Sequence, residues 1–125
     1  MAEPLPAKVT RKLWRGDTRV WTHVFTDTET GDPIDLTGYA FLSQFRDDLD
    51  RGTVIATATC VIDADPTTGV MVETLTAAQA DLLPGQTDPD EKPVVYWDLQ
   101  STDGDGAVQT WQYARVPVSG DASDA

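Results

Sequence analysis

The chain has 125 residues, 40% of them apolar, and a formal net charge of −12. That length favours one domain with a core of its own, and the acidic balance argues against binding a nucleic-acid backbone. A lone cysteine, Cys60, excludes an intrachain disulfide framework.

Residues 1–7 hold two prolines and no apolar leader, so the expectation is an extended arm and no secretory signal. Residues 1–20 carry five basic groups (Lys8, Arg11, Lys12, Arg15, Arg19) against Glu3 and Asp17, while the rest of the chain is strongly acidic. Val9, Leu13 and Trp14 among these cations read as a basic edge strand, since edge lysines discourage edge-to-edge pairing. Deleting residues 1–12 is expected to leave the fold mostly intact. Arg15-Gly16-Asp17 is a turn, too short to specify adhesion.

Thr18 to Thr26 alternates strictly, with Val20, Thr22 and Val24 on one face and Trp21, His23 and Phe25 on the other. That predicts a strand covered at least partly on both faces. Gly31-Asp32-Pro33-Ile34-Asp35-Leu36-Thr37-Gly38-Tyr39 follows as a compact turn. Pro33 holds Asp32 extended, Asp35 can accept from the amides of Thr37 or Gly38, and Gly38 can take a positive φ. Leu36 and Tyr39 flank the bend with apolar groups.

Ala40 to Arg46 is the next strand, with Tyr39, Phe41, Ser43 and Phe45 sharing a face, and an acidic turn follows at 47–52. In Thr53 to Ile62, the small residues Ala56, Ala58 and Cys60 leave room for a bulky partner such as a Trp. Asp65-Pro66-Thr67-Thr68-Gly69 is a hairpin signal. In the returning strand Val70, Val72 and Thr74 alternate with Met71, Glu73 and Leu75.

Thr76 and Gln79 have capping-box spacing, which predicts a short helix over about 77–83, pinned by Leu75, Leu82 and Leu83. Pro84-Gly85 stops it, and an acidic loop covers 86–93. Val95, Trp97 and Leu99 point inward from Val94–Gln100. The last strand, Ala107 to Val118, places Val108, Ala114, Val116 and Val118 in phase, with Trp111 and Tyr113 opposite. Seven or eight short antiparallel strands with one helix predict an all-β sandwich. The domain runs over 8–118, and 119–125 is an acidic tail.

Chemistry is sparse. Asp103-Gly104-Asp105-Gly106 mimics part of a calcium loop, but Gln112 stands where a bidentate Glu is needed, so a hairpin turn is the better reading. His23 and Cys60 lack zinc-ligand spacing, and Cys60 lies mid-strand as a buried thiol. Paired carboxylates such as Glu73 and Asp98 are commonplace in an acidic chain. No phosphate loop, nucleophile elbow or HExxH occurs. The expectation is no enzyme, no catalytic or metal residues and no cofactor. Trp21 and Trp97 read as core, whereas Trp14 and Trp111 read as outward-facing.

Several motifs recur in a fixed order: Arg15-Gly16-Asp17-Thr18, Phe25-Thr26-Asp27, the Gly31–Tyr39 turn, Thr68-Gly69, Leu75-Thr76 and Tyr96-Trp97-Asp98-Leu99-Gln100. In this the chain resembles the N-terminal β-sandwich domain of phage baseplate upper proteins and the small β-sandwich minor tail proteins of actinobacterial phages. The resemblance spans about Arg15 to Val118, with Asp35, Leu36, Thr37, Gly38 and Tyr39 as its best marker. It implies a virion protein of tail or baseplate, made in a bacterial host, that attaches fibre or receptor-binding components. Its implied partners are other virion proteins, with the chain itself a homo-oligomer or present in many copies per particle, and neither nucleic acid nor membrane. Longer baseplate members continue into a second module, and the closing strand here only loosely matches theirs.

Interface candidates are Lys8, Arg11, Lys12, Trp14 and Arg15 on the basic strand, then Trp111 and Tyr113. The alternatives are a carbohydrate-binding module for host-surface glycan and a capsid decoration protein. A line of Trp and Tyr beside carboxylates would favour sugar; a flat apolar patch with an extended arm would favour assembly.

Overall fold

The computed structural model describes residues 7–47, 52–84 and 94–119. The arm up to residue 6, the acidic stretches 48–51 and 85–93 and the tail 120–125 lie outside these. Eight strands follow in chain order: β1 (Ala7–Lys8), β2 (Leu13–Trp14), β3 (Arg19–Val24), β4 (Ala40–Arg46), β5 (Val54–Ile62), β6 (Val70–Leu75), β7 (Val94–Thr102) and β8 (Val108–Ser119). A four-residue helix α1 (Ala77–Ala80) and one 3₁₀ turn (Pro66–Thr68) complete the described elements.

The fold is all-β, as the alternation requires. The strands form one continuous sheet in the order β1-β8-β7-β4-β5-β6-β3, with β2 also beside β8. The sheet curls into a half-barrel instead of splitting into two separate layers. Alternation reports that one face is buried, but not which strands close over it. Inside the curl sit Phe45, Trp97, Leu99, Met71, Leu75, Val95, Val116 and Val118, all but inaccessible to solvent. Ala56 lies directly across from Phe45, and Phe45 across from Trp97. Of the small residues of β5, Ala56 thus lies beside a large ring, whereas Ala58 pairs with Ser43 and Cys60 with Glu73.

Four expectations are corrected. The outer face of β3 is bare, with Val20 and Val24 both about 60% exposed, because a single curled sheet has no second layer outside it. Helix α1 ends at Ala80, and Leu82 is exposed, so of the three leucines only Leu75 and Leu83 are buried, together with Ala80. Only half of the capping box forms: Thr76 accepts from the Gln79 amide, while the Gln79 side chain accepts from the Thr57 amide on β5. In β8 a register shift lies opposite Leu99/Gln100, where Leu99 pairs with Gln112 but Gln100 with Thr110. The bulge absorbs Trp111 and reverses the phase upstream, so Val108 is 65% exposed.

The Gly31–Tyr39 turn docks on the 3₁₀ turn. Leu36 N–H donates to Pro66 O, Ile34 N–H to Phe25 O, and Phe25 N–H to Gly69 O. Asp35 accepts from the Thr37 amide (3.0 Å) and hydroxyl (2.6 Å). Gly38 has φ +80°, as expected, but the tighter glycine is Gly69: a Cβ there would lie 2.6 Å from Phe25 O.

Candidate functional site

The N-terminal strands define the first region of interest. Both run parallel to β8 in one register, Lys8 opposite Tyr113 and Leu13 opposite Val118. Between them the ladder lapses opposite Pro117, which has no amide proton to offer. Alternation points Lys8, Lys12 and Trp14 outward, with Trp14 56% exposed. It points Arg11 and Leu13 inward. Arg11 is therefore not a surface cation, and deleting residues 1–12 would remove a core residue.

The Arg11 guanidinium lies at the open seam of the curl, between the β1–β2 edge and β3 at the other end of the strand order. It lies 3.8 Å from the Trp21 ring centroid and 3.5 Å from that of Trp97, a cation–π sandwich. It meets Glu73 of β6 in a two-pronged pair, Nη2 to Oε1 at 2.7 Å and Nη1 to Oε2 at 2.9 Å. His23 Nε2 reaches Oε1 at 2.8 Å, and the Ser43 hydroxyl donates to Oε2 while accepting from Trp97 Nε1 at 2.8 Å.

Four donors thus fill the four lone-pair directions of a carboxylate. Burial alone pushes the Glu73 carboxyl up, but hydrogen bonds from Arg11, His23 and Ser43 and the charge of Arg11 outweigh it, leaving a pKa of about 2. An acceptor so saturated and so acidic has no capacity left for proton transfer. Cys60, opposite Glu73, is pushed up to about 12 by burial and by that carboxylate, which makes its thiol inert.

The other candidate residues are scattered. Arg15 is half-buried and turned to α1, donating from Nε to Leu83 O at 3.0 Å and standing 3.4 Å from Asp81. Tyr113 stays on the outer face, directly across from Asp98. Trp111 does not: the bulge turns it inward, where its ring lies 4.9 Å from Phe25 and its Nε1 donates to buried Ser101 at 2.8 Å. Asp103 accepts from the amides of Asp105 and Ala107, a hairpin turn. Among the described residues, no group of three or more His, Cys, Asp or Glu could hold a metal ion.

A second region lies where the Gly31–Tyr39 turn leans over β8. A cavity of about 320 Å³ opens there, walled by Pro33, Ile34, Tyr39 and Trp111 and by Asp27, Asp32, Asp35, Gln109 and neighbouring threonines. Gln109 Nε2 is buried with no hydrogen-bond partner. Asp35 is held below the usual carboxylate range by the hydroxyl and then the amide of Thr37. Sequence reasoning assigned this turn a purely structural part. The cavity is invisible to it because Gln109 and Trp111 come from a strand some seventy residues away.

No protein-family model matches the chain, and no curated protein matches it.

Proposed function

We propose that the protein is a non-enzymatic structural virion component, a tail or baseplate adaptor that joins fibre or receptor-binding subunits to the particle. The observation that supports this is the N-terminal edge: Lys8, Lys12 and Trp14 face solvent from a strap pinned to the core by Arg11. Such an edge offers charge, an aromatic anchor and a fixed backbone, the ingredients of a steered protein contact. The outer face of β3, β6 and β5 adds a valine patch, Val20, Val24 and Val61, each about 60% exposed.

The test replaces only the outward residues. Lys8→Glu/Lys12→Glu/Trp14→Ser should keep the wild-type melting temperature and vanish from purified particles by immunoblot. Incorporation at the wild-type level contradicts the adaptor reading.

A further inference from the structure

The cavity beside the Gly31–Tyr39 turn makes chemical demands that the assembly reading does not use. We propose that it binds a neutral saccharide, one pyranose ring seated against Tyr39 and Trp111. Its volume of about 320 Å³ is at the small end of the ~300–1,000 Å³ typical of ligand sites, enough for one ring.

The lining chooses among ligands. Gln109 lines the cavity and its Nε2 is a buried donor without an acceptor, so an occupant that brings an oxygen within reach gains a hydrogen bond there. Oδ1 of Asp27 already accepts from the Glu29 and Thr30 amides and Oδ1 of Asp35 from Thr37, which leaves their second oxygens and the Asp32 carboxylate as acceptors for O–H or N–H donors. The rings of Tyr39 and Trp111, with Ile34 and Pro33, call for an apolar face.

A lysine or arginine side chain would suit the carboxylates and the rings, but it carries donors only and leaves the Gln109 amide unpaired. An aliphatic chain would suit the rings alone. A pyranose has a C–H face and hydroxyls that both donate and accept, so it meets all three demands at once.

The experiment is a titration of the full chain with D-glucose, D-galactose, N-acetyl-D-glucosamine and L-rhamnose, each up to ~50 mM, read by saturation-transfer NMR; that range reports millimolar dissociation constants. Nα-acetyl-lysine amide, whose ε-ammonium stays charged, serves as the cationic competitor. At least one sugar should give a saturable signal, and Gln109→Leu should weaken it by ~tenfold or more, since only the ligand satisfies that amide.

The same variant, without sugar, should keep or raise the melting temperature, because it removes a buried donor that nothing pairs. Silence from all four sugars overturns the proposal, as does binding undiminished in Gln109→Leu. Saturation by the lysine amide alone hands the cavity to a cationic side chain. A melting temperature lowered by more than ~3 °C shows the amide already paired and removes the argument. Loss of sugar binding says nothing about particle incorporation, so the two readings fail separately.

Discussion

The seam around Arg11 and the cavity beside Tyr39 are built from the same kinds of side chain: aromatic rings, carboxylates and polar groups with donors to place. At the seam the acceptor capacity of the carboxylate is consumed, with four hydrogen bonds on the two oxygens of Glu73. At the cavity a buried amide is left without a partner and space stands beside it. The difference separates a structural clasp from a place prepared for something else. A saturated buried network rigidifies; an unsaturated one carries a standing cost that a ligand can relieve.

Breaking the clasp should have the largest effect. Glu73→Leu leaves the Arg11 cation buried and unpaired, which should cost about 3–5 kcal/mol in denaturant-midpoint stability. A loss under ~1 kcal/mol would place the Arg11 charge in water and dissolve the contrast.

Acid probes the same carboxylate without mutation. Its folded pKa of about 2 lies below the ordinary value of 4.5, so its stabilisation is complete above pH ~4.5 and drains away as pH falls through ~2. The amount is on the order of 3 kcal/mol. Asp98, pushed up by burial, acts oppositely: its contribution is fully present in acid and is lost as pH rises through its raised pKa. The difference between wild-type and Glu73→Gln melting curves therefore carries the answer, and identical pH slopes would contradict the assignment.

The turn that frames the cavity gives smaller effects. Gly69→Ala forces a Cβ to within 2.6 Å of Phe25 O at a positive φ, for an expected loss of about 2–3 kcal/mol. At Gly38 an added Cβ meets only ordinary contacts with Gly104, so Gly38→Ala suffers from its φ alone, about 1–2 kcal/mol. Thermal melts that rank Gly38 as the more sensitive would show the turn seated differently. Gln109→Leu, near neutral or stabilising, closes the series.

Much of the strand pattern was legible because period-two alternation is local. The inward sets Ser43–Phe45 and Val95–Trp97–Leu99 and the Asp65–Gly69 turn are all as the sequence implies. The clasp was not, since Glu73 meets its partners across 62, 50 and 30 residues. The one local sign was an acid in phase with Met71 and Leu75. The inward turn of Trp111 was hidden too: a bulge shifts the phase by one residue and leaves no mark in composition. Arg11 looked like one more edge cation until its register put it on the Leu13 face.

The central claim is that Arg11 and Glu73 hold the N-terminal strap to the curled sheet and so present Lys8, Lys12 and Trp14 in fixed positions. Amide hydrogen exchange on Arg11→Ala/Glu73→Gln tests it most directly. The amides of Val9 and Arg15, bonded to Tyr113 and Ser119 carbonyls, should lose their protection while those of β4 and β7 keep theirs. Unchanged protection at Val9 and Arg15 would show that Leu13 and the strand ladder hold the strap unaided, and the clasp would not be one.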